Sequence, residues 1–163
     1  MITMAKALTN AAQPMGAVAV REDIYDTVVN AAPEGAIEFF HGYTYSAHPA
    51  ACAAALATLD IYEKEGLFQR AAELAPYFLD AVFSLRDAPG ITDIRGYGLI
   101  AGIDVAPGTM PGGRGLDLQK RLFWNGLHVK FTGDSGIIAP PFVAEKSHID
   151  RIVDIIRKTL KET

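Results

Sequence analysis

At Ala88 the apolar pattern of the chain changes period, and this change limits the available folds more than any other feature. Before it, from 49 to 85, the spacing is helical. After it, Ile91-Thr92-Asp93-Ile94-Arg95-Gly96-Tyr97-Gly98 and Leu99-Ile100-Ala101-Gly102-Ile103-Asp104-Val105 read as two strand segments with a glycine bend between them. Side chains recur on one face every 3.6 residues in a helix and every two in a strand, so neither pattern can serve for the other. A chain that holds both folds with helices edging a sheet, an α/β or α+β arrangement.

The helical stretch has its own punctuation. Ser46 is placed to cap, Pro49 suits an early helical position, and an Ala-rich run leads to Glu65 before Gly66 stops it. A second helix is predicted over 67–85 with Pro76 inside it. An interior proline costs about 3 kcal/mol, so a kink, or a break just before it, is expected. Upstream, Ala17-Val18-Ala19-Val20 reads as a short buried strand and 21–30 as a helix. Downstream come a Pro/Gly-rich loop over 106–115 and a helix over 116–125 with Leu118, Leu122 and Phe123 on one face. Short strands over 128–131 and 136–139 follow. Ser147 caps a last helix whose core stripe is Ile149, Ile152, Val153, Ile156 and Leu160.

Several function classes are disfavoured. A formal charge of -4 over 163 residues gives no electrostatic case for nucleic acid or an anionic membrane surface. No apolar run is long enough to span a bilayer. The start, Met1-Ile2-Thr3-Met4-Ala5-Lys6, lacks the basic end and long apolar stretch of a signal peptide. The one cysteine, Cys52, allows no internal disulfide and reads as a small buried helix residue, so a reducing cytoplasm is the expected setting. His41, His48, His128 and His148 have no metal-ligand spacing, so no metal is expected, and His48 before Pro49 reads as a helix-start residue. Gly96-Tyr97-Gly98 lacks the third glycine of a dinucleotide fingerprint.

Two segments are able to carry chemistry. In Ala5-Lys6-Ala7-Leu8-Thr9-Asn10-Ala11-Ala12-Gln13-Pro14-Met15-Gly16 a lone lysine stands among small and apolar residues. Burial would lower its ammonium pKa and free the amine to condense with a carbonyl. A solvated lysine near a chain end is the plainer reading. In His41-Gly42-Tyr43-Thr44-Tyr45-Ser46-Ala47-His48-Pro49, hydroxyls and backbone N–H groups precede a helix N-terminus, a place that suits an anion or simply a capping turn.

Both segments resemble one family. Lys6-Ala7-Leu8-Thr9-Asn10, with Pro14 and Gly16, resembles the class III aminotransferase motif around the cofactor lysine, and the Tyr43-Thr44 segment resembles that family's phosphate-contact turn. Ile94-Arg95-Gly96-Tyr97-Gly98-Leu99 looks like its small-domain strand, and Gly133-Asp134 with Ala139-Pro140-Pro141-Phe142 like its C-terminal strand pair. The beta-alanine–pyruvate and omega-amino-acid–pyruvate branch is the most similar. The resemblance implies the C-terminal part of the fold type I architecture of pyridoxal 5'-phosphate (PLP) enzymes. Residues 1–50 would be the tail of the large PLP-binding domain, and 51–163 a connecting helix and an α+β small domain. Lys6 would condense with PLP and then shuttle a proton. Thr44 would hydrogen-bond the cofactor phosphate across a homodimer interface, with Tyr43 beside it. The substrates implied are a small-molecule amino donor and pyruvate.

Three departures stand out. Family members usually carry glycine where Ala11 stands. The family's substrate-carboxylate arginine maps onto Lys130, which keeps the charge without the bidentate fork. The family also places an aspartate for the pyridine nitrogen, a stacking aromatic and the main phosphate loop ahead of the lysine, where this chain has five residues. A C-terminal fragment inactive alone is therefore expected, the alternative being a non-catalytic folded small domain that self-associates.

Overall fold

The computed structural model describes residues 1–39 and 43–162, which form two compact units, Met1–Glu65 and Gly66–Thr163.

In the first unit, β1 (Ile2–Ala5) pairs antiparallel with β2 (Gly16–Ala19), Ile2 opposite Ala19 and Ala5 opposite Gly16. The strand expected at 17–20 is present one residue earlier, but it is largely exposed rather than buried. Its partner is a single short strand, and a two-stranded ribbon has no inner position in which to bury Val18. Lys6–Leu8 make a 3-10 turn directly after β1. Helix α1 (Glu22–Asn30) buries none of its residues.

Helix α2 (Pro49–Lys64) begins where Pro49 implied, with His48 rather than Ser46 as its N-cap and no side chain capping it. Ser46 stands two residues too early to reach that position. Ala51, Ala55, Thr58 and Tyr62 are its buried residues, and their spacing of four, three and four draws one stripe down the helix. Cys52, beside that stripe, is half-buried rather than fully buried.

The second unit is built on an antiparallel sheet in the order β3-β4-β6-β5, from β3 (Ile91–Tyr97), β4 (Ile100–Val105), β5 (Lys130–Thr132) and β6 (Ser135–Ile138). The β3–β4 hairpin turns at Gly98, whose φ of +57° is open to glycine without penalty. Ala101, Ile103, Val105 and Ile138 face the core, where they join residues of α3 (Leu67–Phe83), α4 (Gly113–Trp124) and α5 (Lys146–Lys161).

Helix α3 runs unbroken through Pro76, so of the kink or break expected there the break does not occur. Packing explains why. Leu74, Phe78 and Val82 are buried at i, i+4, i+8, and at about 1.5–3 kcal/mol each they outweigh one proline. Leu118 and Leu122 of α4 are buried as expected, whereas Phe123 points outward, edge-on to Trp124 and His128. The last helix is capped by Glu145, not Ser147. Glu145 accepts from the His148 N–H while its own N–H donates to His148 Nδ1 at 3.1 Å, a reciprocal capping box.

The β5–β6 turn is fastened to α4. The N–H groups of Gly115 and Gly112 donate to the Asp134 carboxylate at 2.9 and 3.3 Å, and the Phe131 N–H donates to Gln119 Oε1 at 2.8 Å. The approach is so close that a Cβ on Gly115 would sit 2.0 Å from the Gly133 carbonyl oxygen. Among the described residues no helix is long and apolar enough to cross a membrane.

Candidate active site

Lys6 occupies an unusual backbone position. It follows the last residue of β1 and has a φ of +56°, in the left-handed region that residues with a Cβ avoid. The loop beyond it is pinned in several places. The Thr9 N–H donates to the Lys6 carbonyl at 3.2 Å, and the Ala12 N–H to the Thr9 carbonyl at 3.0 Å. The Thr9 side chain, 2% exposed, donates to the Gln13 carbonyl at 2.6 Å. The Tyr62 hydroxyl donates to the Ala7 carbonyl at 2.8 Å.

Asn10 and Ala11 also have positive φ, +49° and +62°. The alanine that departs from the family's usual glycine thus stands where glycine would be unstrained. The Lys6 side chain is exposed, and among the described residues its Nζ has no hydrogen-bond or ion-pair partner. The loop therefore fixes the backbone from which the amine projects and leaves the amine in water.

The hydroxyl-rich turn lies in the same unit. The Ser46 N–H donates to the Tyr43 carbonyl at 3.0 Å, Ala47 has a φ of +56°, and α2 starts two residues later. Tyr43, Thr44, Ser46 and His48, with Pro14 and Met15, line a cavity of about 650 Å³. The Thr44 hydroxyl has no partner among the described residues, and the N-terminus of α2 has no side-chain cap. Lys6 is not among the lining residues. Phe40, His41 and Gly42, the upstream end of this motif, lie outside the described residues.

Lys130 belongs to the second unit. It stands exposed on the edge strand β5, opposite Ile137. It lines a cavity of about 580 Å³ whose other walls are mostly apolar, including Leu127, Val129, Ile137, Pro140 and Ile152. It is thus a cationic amine beside an apolar wall, an arrangement that suits a carboxylate with a carbon tail.

Two features escaped the sequence. Arg95 is held in ion pairs with Asp93 and Asp104, each at 2.7 Å. These carboxylates, Asp104 foremost, raise the guanidinium pKa above its ordinary value, and Arg95 in turn lowers that of Asp104, with help from Ser135. Alternation along β3 and β4 puts those side chains on one face, a signal that was available once the hairpin register was known. The bond from Tyr62 to Ala7 spans 55 positions and has no local signature beyond a tyrosine on a helix's buried stripe. Among the described residues no group of three or more His, Cys, Asp or Glu could hold a metal ion.

The residues present fit part of a PLP site. Among the described residues, an amine without a partner is available for the aldehyde, and a hydroxyl without a partner before a helix N-terminus with no side-chain cap is available for the phosphate. Gly16, the strand partner of Ala5 next to Lys6, lines the Thr44 cavity, while Lys6 itself does not.

Comparison with known proteins agrees. The family model described as aminotransferase class-III matches residues 1–160. The chain is 50% identical over 161 residues to an omega-aminotransferase of Caulobacter vibrioides, and 44% identical over 162 residues to a beta-alanine–pyruvate aminotransferase of Pseudomonas aeruginosa. Each alignment covers 98% of this chain and 36% of the relative, so the chain spans about a third of the length of these proteins. A solved Bacillus anthracis aminotransferase superposes with a TM-score of 0.86 at 28% identity, over 99% of this chain and 38% of its own. The architecture is therefore that of part of a PLP-dependent transaminase.

Proposed function

The chain belongs to the class III aminotransferases, and on that premise we propose that it supplies the cofactor lysine and the C-terminal part of an omega-amino-acid–pyruvate transaminase. The family's cofactor is PLP. The observation that carries the proposal is the Lys6 amine, unpartnered and presented on a left-handed residue at the end of a strand.

Bound there, PLP supplies the electron sink for breaking the C–H bond at the substrate's amine-bearing carbon. Lys6 holds the cofactor and afterwards carries the proton on its Nζ. Thr44 donates its hydroxyl to the phosphate, Tyr43 flanks it, and the free N–H groups at the start of α2 add favourable dipole. We assign a homodimer in which each chain's Thr44 serves the partner's cofactor. Lys130 pairs with the substrate carboxylate as a single point charge.

The functional division falls near residue 50. Residues 1–50 close the large domain, and α2 opens the connection to the small domain. On this reading the chain, which spans about a third of the length of its relatives, does not complete a transaminase site by itself. The cytoplasm is the setting we assign, in keeping with one unpaired cysteine.

A second reading has its own support. Ile2, Val18, Tyr25 and Ile37 are exposed in the first unit, an apolar surface suited to self-association without catalysis. Absorption spectroscopy separates the two. With PLP added, the first reading expects a visible band that borohydride bleaches and that Lys6→Ala abolishes. A band indifferent to Lys6→Ala, or no band, would leave the self-associating domain.

A further inference from the structure

We propose that Tyr62 is a positioning residue for the Lys6 amine, holding the Ala7 carbonyl from helix α2 and thereby keeping Lys6 in its left-handed conformation. The inference rests on the reading of Lys6 as the cofactor lysine.

Lys6 and Ala7 are adjacent, so the orientation of the Ala7 carbonyl depends on the torsions of Lys6. Rotating Lys6 from a φ of +56° to the ordinary negative range would swing that carbonyl away from the Tyr62 hydroxyl, now 2.8 Å from it. Tyr62 is only 7% exposed, so little water reaches it to replace the Ala7 carbonyl, and loss of this hydrogen bond is unfavourable. The anchor is also stiff. Tyr62 is the last residue of the buried stripe Ala51, Ala55, Thr58 and Tyr62 on a helix of 16 residues. The ties from Thr9 and Ala12 are made within the loop itself and can move with it, whereas the tie to Tyr62 refers the loop to a separate element. What it fixes is the direction of the Lys6 Cα–Cβ bond, and so the reach of Nζ.

Tyr62→Phe keeps the ring and removes the hydroxyl. The full chain is incubated with PLP and reduced with borohydride across a pH series. Labelled lysines are mapped by mass spectrometry, with exposed Lys120 as internal reference. Thr58→Val serves as control, because the Thr58 hydroxyl donates only within α2, to the Ala54 carbonyl at 2.8 Å. The expected result is preferential labelling of Lys6 in the unaltered protein. In Tyr62→Phe the Lys6-to-Lys120 ratio falls about five-fold or more, reflecting the preference of a non-glycine residue for leaving the left-handed region. Thr58→Val leaves the ratio unchanged. A ratio unaltered by Tyr62→Phe, or lowered equally by both variants, overturns the positioning role while Lys6 keeps its assignment. No preference for Lys6 in the unaltered protein overturns both.

Discussion

The two units bury different kinds of side chain. In Gly66–Thr163 the fully buried residues include Phe78, Leu85, Ile103, Leu122, Ile149 and Ile156, a continuous apolar core between sheet and helices. Among the described residues of Met1–Glu65 the buried ones are Thr9, Ala51, Ala55, Thr58 and Tyr62, all of them small or hydroxyl-bearing, while Ile2, Val18 and Ile37 are exposed. The second unit is held by area removed from water, the first by hydrogen bonds that fix a loop with three positive-φ residues, Lys6, Asn10 and Ala11. The candidate chemistry sits on the second kind of support. Functional loops are commonly drawn from the less stable parts of a fold, and strain that persists there is held by its surroundings.

Five substitutions probe this contrast. The largest expected effect is that of Phe78→Ala, whose residue is 0% exposed: about 3–5 kcal/mol lost in urea unfolding followed by circular dichroism. Leu56→Ala, on the first unit's helix and 66% exposed, should change stability by less than about 0.5 kcal/mol. Equal losses from the two would erase the difference between the units. Gly115→Ala comes next, at about 1–3 kcal/mol, because its methyl would collide with the Gly133 carbonyl and prise α4 from the β5–β6 turn. The same denaturation measurement reads it.

A smaller effect is expected from Asp104. Arg95 first, then Ser135, lower its pKa in the folded state. Its contribution is therefore complete above the ordinary carboxylate value of about 4 and is lost as pH falls through the lower folded value. A surface pair of this kind is worth under about 1 kcal/mol. Asp104→Asn should flatten that part of the acid stability curve, and an unchanged acid limb would show that the pair is energetically idle. The last effect is a gain. Ala11→Gly relieves a positive φ at the cost of glycine's greater unfolded-state freedom, for a net stabilisation of about 0.5 kcal/mol, visible as slower proteolysis of the first unit.

The second unit was the more legible of the two in the sequence. The stripe Ile149, Ile152, Val153, Ile156 and Leu160, the glycine bend at Gly98 and the pair Leu118 and Leu122 each belong to elements whose periodicity faces a core. The misreadings there were local ones. Pro76 was overridden by the burial of Leu74, Phe78 and Val82, and the cap at Glu145 uses His148 in place of the usual Glu or Gln. In the first unit the strand at 16–19 was legible but its exposure was not, because the apolar run Ala17-Val18-Ala19-Val20 looks the same whether or not a neighbour covers it. Lys6, Tyr43 and Thr44 were identified through motifs shared with a family, not through periodicity. The left-handed backbone at Lys6 and the tie from Tyr62 depend on contacts between distant positions, which no local pattern carries.

Hydrogen exchange with and without PLP tests most directly whether the chemistry resides in the first unit. If Lys6 and Thr44 receive the cofactor, backbone amides over residues 6–13 and 43–48 should gain protection while those of the Phe78–Ile103–Ile156 core stay unchanged. Protection confined to the cavity beside Lys130, or none in either segment, would contradict that assignment.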